Sequence, residues 1–209
     1  MMKSKKALSL ISSGIDSPVA TWIMQQKGLE IIGIHFSNEP SSYSSPREKT
    51  IEICKHLGIK RLYILKHVFL MQAELLRLCE DKARCVLCKR MMLRFAEKIA
   101  EKEGCSYLVT GDNLGQVASQ TLDNITVVSA AAKIPILRPL LCNDKQETVD
   151  LAKKIGTYDI SVESAACCTA VPRMPLTKAV LSRIEAEEKK IDVDSIVEKA
   201  VSRAKVLDL

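Results

Sequence analysis

Three short stretches of this chain hold residue types that could do chemistry. The first is Ser12-Ser13-Gly14-Ile15-Asp16-Ser17-Pro18. Small residues ahead of a helix let backbone N–H groups close around a phosphate, and the helix dipole favours an anion there. Ser17 suits the N-cap and Pro18 the first helical position. On capping alone, a plain strand-to-helix turn is the better reading. The stretch lacks the Gly-Lys-Ser/Thr of a Walker loop. Asp16 adds a carboxylate, which is costly in such a turn unless a metal or a lysine compensates it. The second stretch is Cys85-Val86-Leu87-Cys88, set among Lys82, Arg84, Lys89 and Arg90. Those cations should lower the thiol pKa values and favour thiolates, although one CxxC supplies only two metal ligands. The third is the adjacent pair Cys167-Cys168. Neighbouring cysteines rarely point into one site together, so one of the two is expected to be structural or auxiliary. Cys54, Cys79, Cys105 and Cys142 lie in periodic or apolar stretches and are expected in the core.

The elements that must position these groups alternate between strand and helix. Apolar runs at 7–12, 30–36, 61–66, 106–110 and 135–140 read as strands. Helical spacing covers 18–27, 47–57, 67–78, 87–103, 145–155, 178–190 and 193–205. Gly28, Gly58, Gly104 and Gly156 follow four of these helices, where a left-handed residue ends a helix cheaply. Residues 37–46 read as a Ser/Pro loop. Strands alternating with helices imply an α/β fold, a doubly wound parallel sheet covered on both faces. Ligands in such folds bind beyond the carboxyl ends of the strands, at the switch point. The turns after the first, second and fourth strands are therefore where a site is expected. A division at 1–175 for the catalytic unit and 176–209 for a basic helical extension packed on it follows from the pattern.

A chain of 209 residues suffices for one full core. The longest apolar run, 125–136, is broken by Thr, Ser and Lys and is too short to cross a bilayer. The basic start runs into a strand-length segment without a cleavage pattern, so a cytoplasmic protein with no membrane partner is expected. The net charge of +6 is compatible with a polyanion and does not demand one. Eight cysteines without an export signal argue against a disulfide framework.

The first turn resembles the Ser-Gly-Gly-x-Asp-Ser loop of the PP-loop ATP pyrophosphatases, with Ser13 in place of the first glycine. Three further segments make the resemblance specific: 89–94 (KRMMLR), 110–122 (TGDNLGQVASQTL), and the run from Leu137-Arg138-Pro139-Leu140 through Asp144-Lys145 and Ile155-Gly156-Thr157 to Cys168. Together they resemble the catalytic domain of ThiI-type enzymes, the tRNA uridine 4-sulfurtransferases also linked to thiamine biosynthesis. The resemblance covers nearly the whole chain. It implies that Leu10, Ile11, His35 and Phe36 border the adenosine. Ser12, Gly14 and Ser17 then hold phosphate, and Lys89, Gly111 and Gln120 complete the ATP site. Asp16 serves the phosphate chemistry through Mg2+, Lys145 stabilises charge during transfer, and Cys168 handles sulfur. Taken singly, each of these also fits a structural role: core strand, turn glycine or solvated helix residue.

The chemistry so implied is adenylation of the C4 carbonyl of a tRNA uridine, followed by displacement of AMP by sulfur to give 4-thiouridine. Cys85 and Cys88 resemble archaeal members of the family, and with Cys168 they offer three thiolates for an iron–sulfur cluster. A redox dithiol, or a helix-start pair with no ligand role, fits Cys85 and Cys88 as well. The ferredoxin-like, THUMP and rhodanese patterns of longer relatives do not fall within these 209 residues. Three routes to a substrate follow: a THUMP-domain partner binds tRNA in trans, the basic C-terminal helices suffice, or the substrate is not tRNA. Sulfur then comes from sulfide or a desulfurase, and the family's habit makes a homodimer the expectation. Two rivals stand beside this: a PP-loop ATP pyrophosphatase acting on another small molecule, and a non-catalytic nucleotide-binding subunit of a THUMP-containing partner.

Overall fold

The computed structural model describes residues 5–37, 46–66, 68–162, 168 and 171–209. Cys167, His67 and most of the expected 37–46 loop lie outside the described residues. Five runs expected as strands are β1 (Lys6–Leu10), β2 (Glu30–Phe36), β3 (Arg61–Leu65), β4 (Tyr107–Val109) and β5 (Ile136–Leu137). A sixth, β6 (Lys205–Asp208), completes one sheet of order β5-β4-β1-β2-β3-β6. The first five strands pair in parallel, and β6 runs antiparallel along β3.

Both faces of the sheet are buried, and side chains alternate between them as the pleat requires. On one face Leu8, Ile32, Ile34, Tyr63 and Leu65 join a core with α3 (Val68–Leu78), α4 (Arg84–Glu103), α5 (Leu122–Ser129), α8 (Leu181–Glu188) and α9 (Val193–Ser202). On the other, Ala7, Ile31, Leu62 and Ile64 pack with α1 (Asp16–Gln26), α2 (Pro46–His56), α6 (Lys145–Lys154) and α7 (Tyr158–Val162). Each fully buried Leu or Ile contributes about 1.5–3 kcal/mol relative to exposure. The doubly wound α/β architecture expected from the sequence is therefore the one observed, with one antiparallel edge strand added.

The differences have physical causes. Helix α9 stops at Ser202, and the chain turns at Ala204 into β6, where Leu209 N bonds Lys60 O. Lys205 to Asp208 satisfy the otherwise open edge of β3, a tertiary demand that overrides the helical period. Helix α5 falls inside what reads as a plain apolar run. It is started by Thr121, whose hydroxyl accepts from Asn124 N. The chain shows no break in the core at residue 175, because Ala179, Ile184, Val197 and Ala200 belong to the same cluster as Leu8 and Ile34.

A buried ion triad fastens the C-terminal helices to α4. Arg90 donates to both Glu188 oxygens at 2.9 and 2.8 Å and to Val127 O at 2.5 Å, while Arg94 reaches Glu188 Oε2 at 3.0 Å. Arg90 is 1% exposed. One guanidinium thus ties α4, α5 and α8 together.

Candidate functional site

The strand order reverses beside β1, whose neighbours are β2 and β4. At the carboxyl ends of these three strands lies a cavity of about 300 Å³. Its walls are the end of β1 (Leu10, Ile11), the turn into α1 (Ser12, Gly14, Asp16, Ser17) and the end of β2 (His35, Phe36). Thr110, Gly111 and Asp112 follow from β4, and Lys89, Met92 and Leu93 face it from α4. Gln120 and Val128 close the remaining side. All ten residues that the sequence points to for a nucleotide are thus brought to one cavity.

The turn after β1 differs from expectation in its start. Helix α1 begins at Asp16, with Ile15 at the N-cap position and no side-chain cap. The Ser17 hydroxyl instead turns back: it accepts from Ser12 N at 2.8 Å and lies 3.0 Å from Ser12 Oγ. Gly14 N in turn reaches Ser12 Oγ at 3.3 Å. Ser17 therefore closes the loop on itself rather than capping the helix. Ser13 fits where the PP-loop pattern has glycine, since no non-glycine among the described residues has positive φ. Gly111 explains itself sterically: a Cβ there would stand 2.7 Å from Ser17 N and 2.9 Å from the Asp16 carbonyl carbon. Only glycine lets the end of β4 lie against the turn.

Two carboxylates sit in contrasting surroundings. Asp16 is on the cavity wall, and Lys145 Nζ lies 3.0 Å from Oδ1 and 3.4 Å from Oδ2. The lysine that a carboxylate in this turn needs is supplied by the first residue of α6. The start of α6 is fixed by Asp144, which accepts from Gln146 N at 2.7 Å, and by Glu147, which accepts from Asp144 N. Lys145 also reaches Gln116 Oε1 at 3.3 Å.

Asp112 is a residue that sequence reasoning missed. Its Oδ1 accepts from Lys89 Nζ at 3.0 Å and from Gln120 Nε2 at 3.4 Å. Its Oδ2 accepts from Thr110 Oγ1 at 2.9 Å and Arg138 Nε at 3.2 Å. Burial alone would raise its pKa, but Lys89, Thr110 and Arg138 reverse that and hold it at about 2. With its lone pairs committed, Asp112 orients Lys89 and Gln120 toward the cavity and is poorly placed to take a metal. The available signal was Gly111-Asp112 at a strand end with Arg138 at the next, and only the pairing of β4 with β5 joins them.

His35 is buried at the end of β2, with Nδ1 3.2 Å from Ile11 O and 3.3 Å from Thr50 Oγ1. Phe36 lies 6.2 Å from Phe95, ring centre to ring centre. Leu10, Phe36, Met92 and Leu93 give this part of the cavity an apolar lining suited to a flat ring.

The cysteines depart further from expectation. Burial pushes the Cys88 thiol up to about 12 and raises Cys85 as well, outweighing Lys89 near both. The expected cationic activation fails because burial outweighs it: Lys89 and Arg84 still pull the Cys85 thiol down, although Lys89 is paired with Asp112 and Arg84 with Asp81. Cys85 and Cys88 stand near Cys168 in the fold, but no group of three or more metal-ligating side chains is assembled among the described residues. A half-buried amide intervenes: Gln72 Nε2 lies 3.9 Å from Cys88 Sγ and 3.8 Å from Cys168 Sγ. The donor set read from the sequence as a cluster site, Cys85, Cys88 and Cys168, is thus gathered in one neighbourhood around this amide. Cys54 and Cys105 are buried as expected, with thiols raised to about 12 and about 11, whereas Cys142 is exposed in the turn after β5. Among the described residues no helix is long and apolar enough to cross a membrane.

The fold and site can be set beside known proteins. A probable tRNA sulfurtransferase of Methanosarcina mazei is 41% identical over 98% of this chain and 52% of its own length. One from Caldanaerobacter subterraneus is 39% identical over 92% of this chain and 52% of its own. The chain thus spans about half the length of the curated relatives it matches. The crystal structure of a 4-thiouridine synthetase–RNA complex with bound ATP superposes with a TM-score of 0.92 at 37% identity, covering 97% of this chain and 55% of that one. An NH3-dependent NAD synthetase from Campylobacter jejuni, at 12% identity and a TM-score of 0.59 over 97% of this chain and 86% of its own, shares the fold alone. The family model described as thiamine biosynthesis protein (ThiI) matches residues 2–193, and the chain belongs to that family.

Proposed function

We propose that the chain is the catalytic part of an ATP-dependent tRNA sulfurtransferase that converts a uridine to 4-thiouridine, with a link to thiazole sulfur supply for thiamine. The observation that carries this reading is one cavity lined by the turn Ser12–Ser17, the apolar shelf of Leu10 and Phe36, and the paired groups Lys89–Asp112, with Asp16–Lys145 at its edge. An adenine ring fits the shelf, and the backbone N–H groups of the turn suit phosphates.

ATP arrives as its Mg2+ complex, and Asp16 is the carboxylate that would face the ion. Uridine O4 attacks the α-phosphorus, the bond to the β-phosphate breaks, and pyrophosphate leaves. Lys89 and Lys145 stabilise the charge that grows on the phosphate oxygens. A sulfur nucleophile then attacks C4, the C4–O bond breaks, and AMP departs with the electron pair. When that nucleophile is the terminal sulfur of a Cys168 persulfide, a mixed disulfide results. An external thiol attacks the Cys168 sulfur and 4-thiouridine leaves, and a second thiol frees Cys168 from the resulting disulfide, the two thiols together supplying the two electrons. The tRNA, a THUMP-containing partner that brings it, a sulfide or desulfurase sulfur source, a homodimer and a cytoplasmic setting complete the reading.

The test is anaerobic incubation with ATP, Mg2+, a sulfur source and unmodified tRNA, with 4-thiouridine read by nucleoside mass spectrometry. Product that vanishes in Cys168→Ala supports the reading. ATP-to-AMP turnover without thiolation redirects it to another acceptor, and ATP binding without pyrophosphate release overturns it in favour of a binding subunit.

A further inference from the structure

We infer that Gln116 is a positioning residue for adenylate formation, its side-chain carbonyl keeping the Lys145 ammonium in place when ATP engages Asp16. The inference rests on the sulfurtransferase reading of the same site.

Lys145 is held in a place that its own helix does not favour. It is the first residue of α6, where the helix dipole opposes a cation, and its side chain is half exposed. A long side chain so placed has many rotamers open to it unless partners restrict them. Two side chains do so. Asp16 lies at 3.0 and 3.4 Å from Nζ, and Gln116 Oε1 accepts from the same Nζ at 3.3 Å. Asp16 is on the cavity wall in the phosphate turn, so an incoming phosphate or its metal ion competes for that carboxylate. Once Asp16 is engaged, Gln116 is the side chain that still holds Lys145 among the described residues.

The loop around Gln116 has the fixity this task needs. It is closed by Gly115 N to Gln120 O at 3.0 Å and by Gln120 N to Val117 O at 2.8 Å. The same loop is tied to the approach to α6. Leu114 N bonds Leu141 O at 2.9 Å, and Asn113 Nδ2 bonds Asn143 O at 2.8 Å. Gln116 and Lys145 therefore belong to one body, whereas Asp16 opens α1. The orientation of the amide is also set. An ammonium only donates, so the oxygen must face it. That leaves Nε2 buried and, among the described residues, without an acceptor. A buried donor left unpaired is costly, and an apolar side chain of similar size would avoid the cost. What the glutamine adds in return is its carbonyl on Lys145. Gln116 does not line the cavity and acts through that lysine.

The experiment compares wild type, Gln116→Leu, Lys145→Ala and the double variant, with tRNA, ATP, Mg2+ and a sulfur source. Pyrophosphate release is followed in a single turnover at saturating ATP, and ATP affinity is measured separately by calorimetry. Loss of an acceptor on a charged donor predicts that Gln116→Leu slows pyrophosphate release about tenfold. ATP affinity should stay within about twofold of wild type. In the Lys145→Ala background the same substitution should cost less than about twofold, because nothing is left to position. A merely structural role would cost the full factor in both backgrounds. Should Gln116→Leu fail to fold, Gln116→Asn draws the carbonyl back by one methylene and must show the same loss and the same dependence on Lys145. Wild-type release in Gln116→Leu overturns the inference. So does a loss of ATP affinity matching the lost rate, or an equal loss with and without Lys145. When wild type releases pyrophosphate but makes no 4-thiouridine, the sulfurtransferase reading fails and the inference stands or falls on pyrophosphate release alone. A wild-type protein that releases none overturns both.

Discussion

Gly111→Ala tests whether the end of β4 and the phosphate turn are a single rigid unit. The added Cβ would meet Ser17 N at 2.7 Å, Asp16 C at 2.9 Å and Ser17 Cα at 2.9 Å, all backbone atoms that cannot rotate away. Ordinary contact begins at 3.4 Å, so the turn must retreat by about 0.7 Å. Gly111 does not have a positive φ, so backbone strain plays no part. Two terms oppose one another in stability. Overpacking costs about 1–3 kcal/mol, and the stiffer unfolded chain returns about 0.4–1 kcal/mol. The net loss is about 1–2 kcal/mol, a fall in Tm of a few degrees. The functional loss should be larger, because a displacement approaching 1 Å in a positioning loop costs about 10²-fold. ATP affinity is measured by calorimetry, AMP release by chromatography, and folding by circular dichroism. Gly14→Ala is the steric control for the fold: its Cβ meets only Ser12 Oγ at 3.5 Å, so Tm should not fall. A Gly111→Ala protein that binds ATP within about twofold of wild type would show that the turn adapts freely, and the argument from close approach would be wrong.

Asp112→Asn should destabilise the fold by about 2 kcal/mol near neutral pH, from the drop of its pKa from 3.8 to about 2. A depressed folded-state pKa stabilises above the unfolded value and is lost as pH falls, so the gap from wild type should shrink to about half by pH 3 in urea titrations. Glu188→Gln leaves Arg90 and Arg94 facing a neutral amide in a buried place. It should cost about 3–5 kcal/mol and lower Tm by about 6–15 °C by calorimetry. Iodoacetamide at pH 8 should modify exposed Cys142 and Cys168 while sparing buried Cys54 and Cys105, with sites read by peptide mass spectrometry. Rapid alkylation of Cys54 or Cys105 would refute their burial.

What the sequence made legible was whatever depends on neighbours in the chain. Strand runs such as EIIGIHF at 30–36 and the glycine after α4 follow from local pattern, as does the placing of a site at three strand ends. The ten cavity residues were found through motif resemblance, since nothing local marks Gln120 or Lys89 as facing a ligand. Features that need two distant segments stayed hidden. Asp112 reads as a turn aspartate until β4 and β5 bring Arg138 alongside it. β6 reads as a helix end because its reason to be extended is the open edge of β3. The thiols of Cys85 and Cys88 looked activated because charge is visible in sequence, whereas burial is not.

The two carboxylates explain how one small cavity can hold a polyanion without a standing excess of free positive charge. Asp112 is saturated, with both oxygens doubly engaged, and it fixes the place of Lys89 and Gln120. Among the described residues Asp16 pairs with Lys145 alone, and that lysine belongs to a different helix. A phosphate or its metal ion entering the turn competes for this one pair and not for the Asp112 network. The adaptable end of the cavity is therefore where charge must change during the reaction, and the rigid end is where a nucleotide must be held still. On this division Lys145→Ala should lower turnover and leave ATP affinity near that of wild type, whereas Asp112→Asn, which releases Lys89 from its fixed place, should weaken ATP affinity and slow turnover together, a difference that steady-state kinetics can separate.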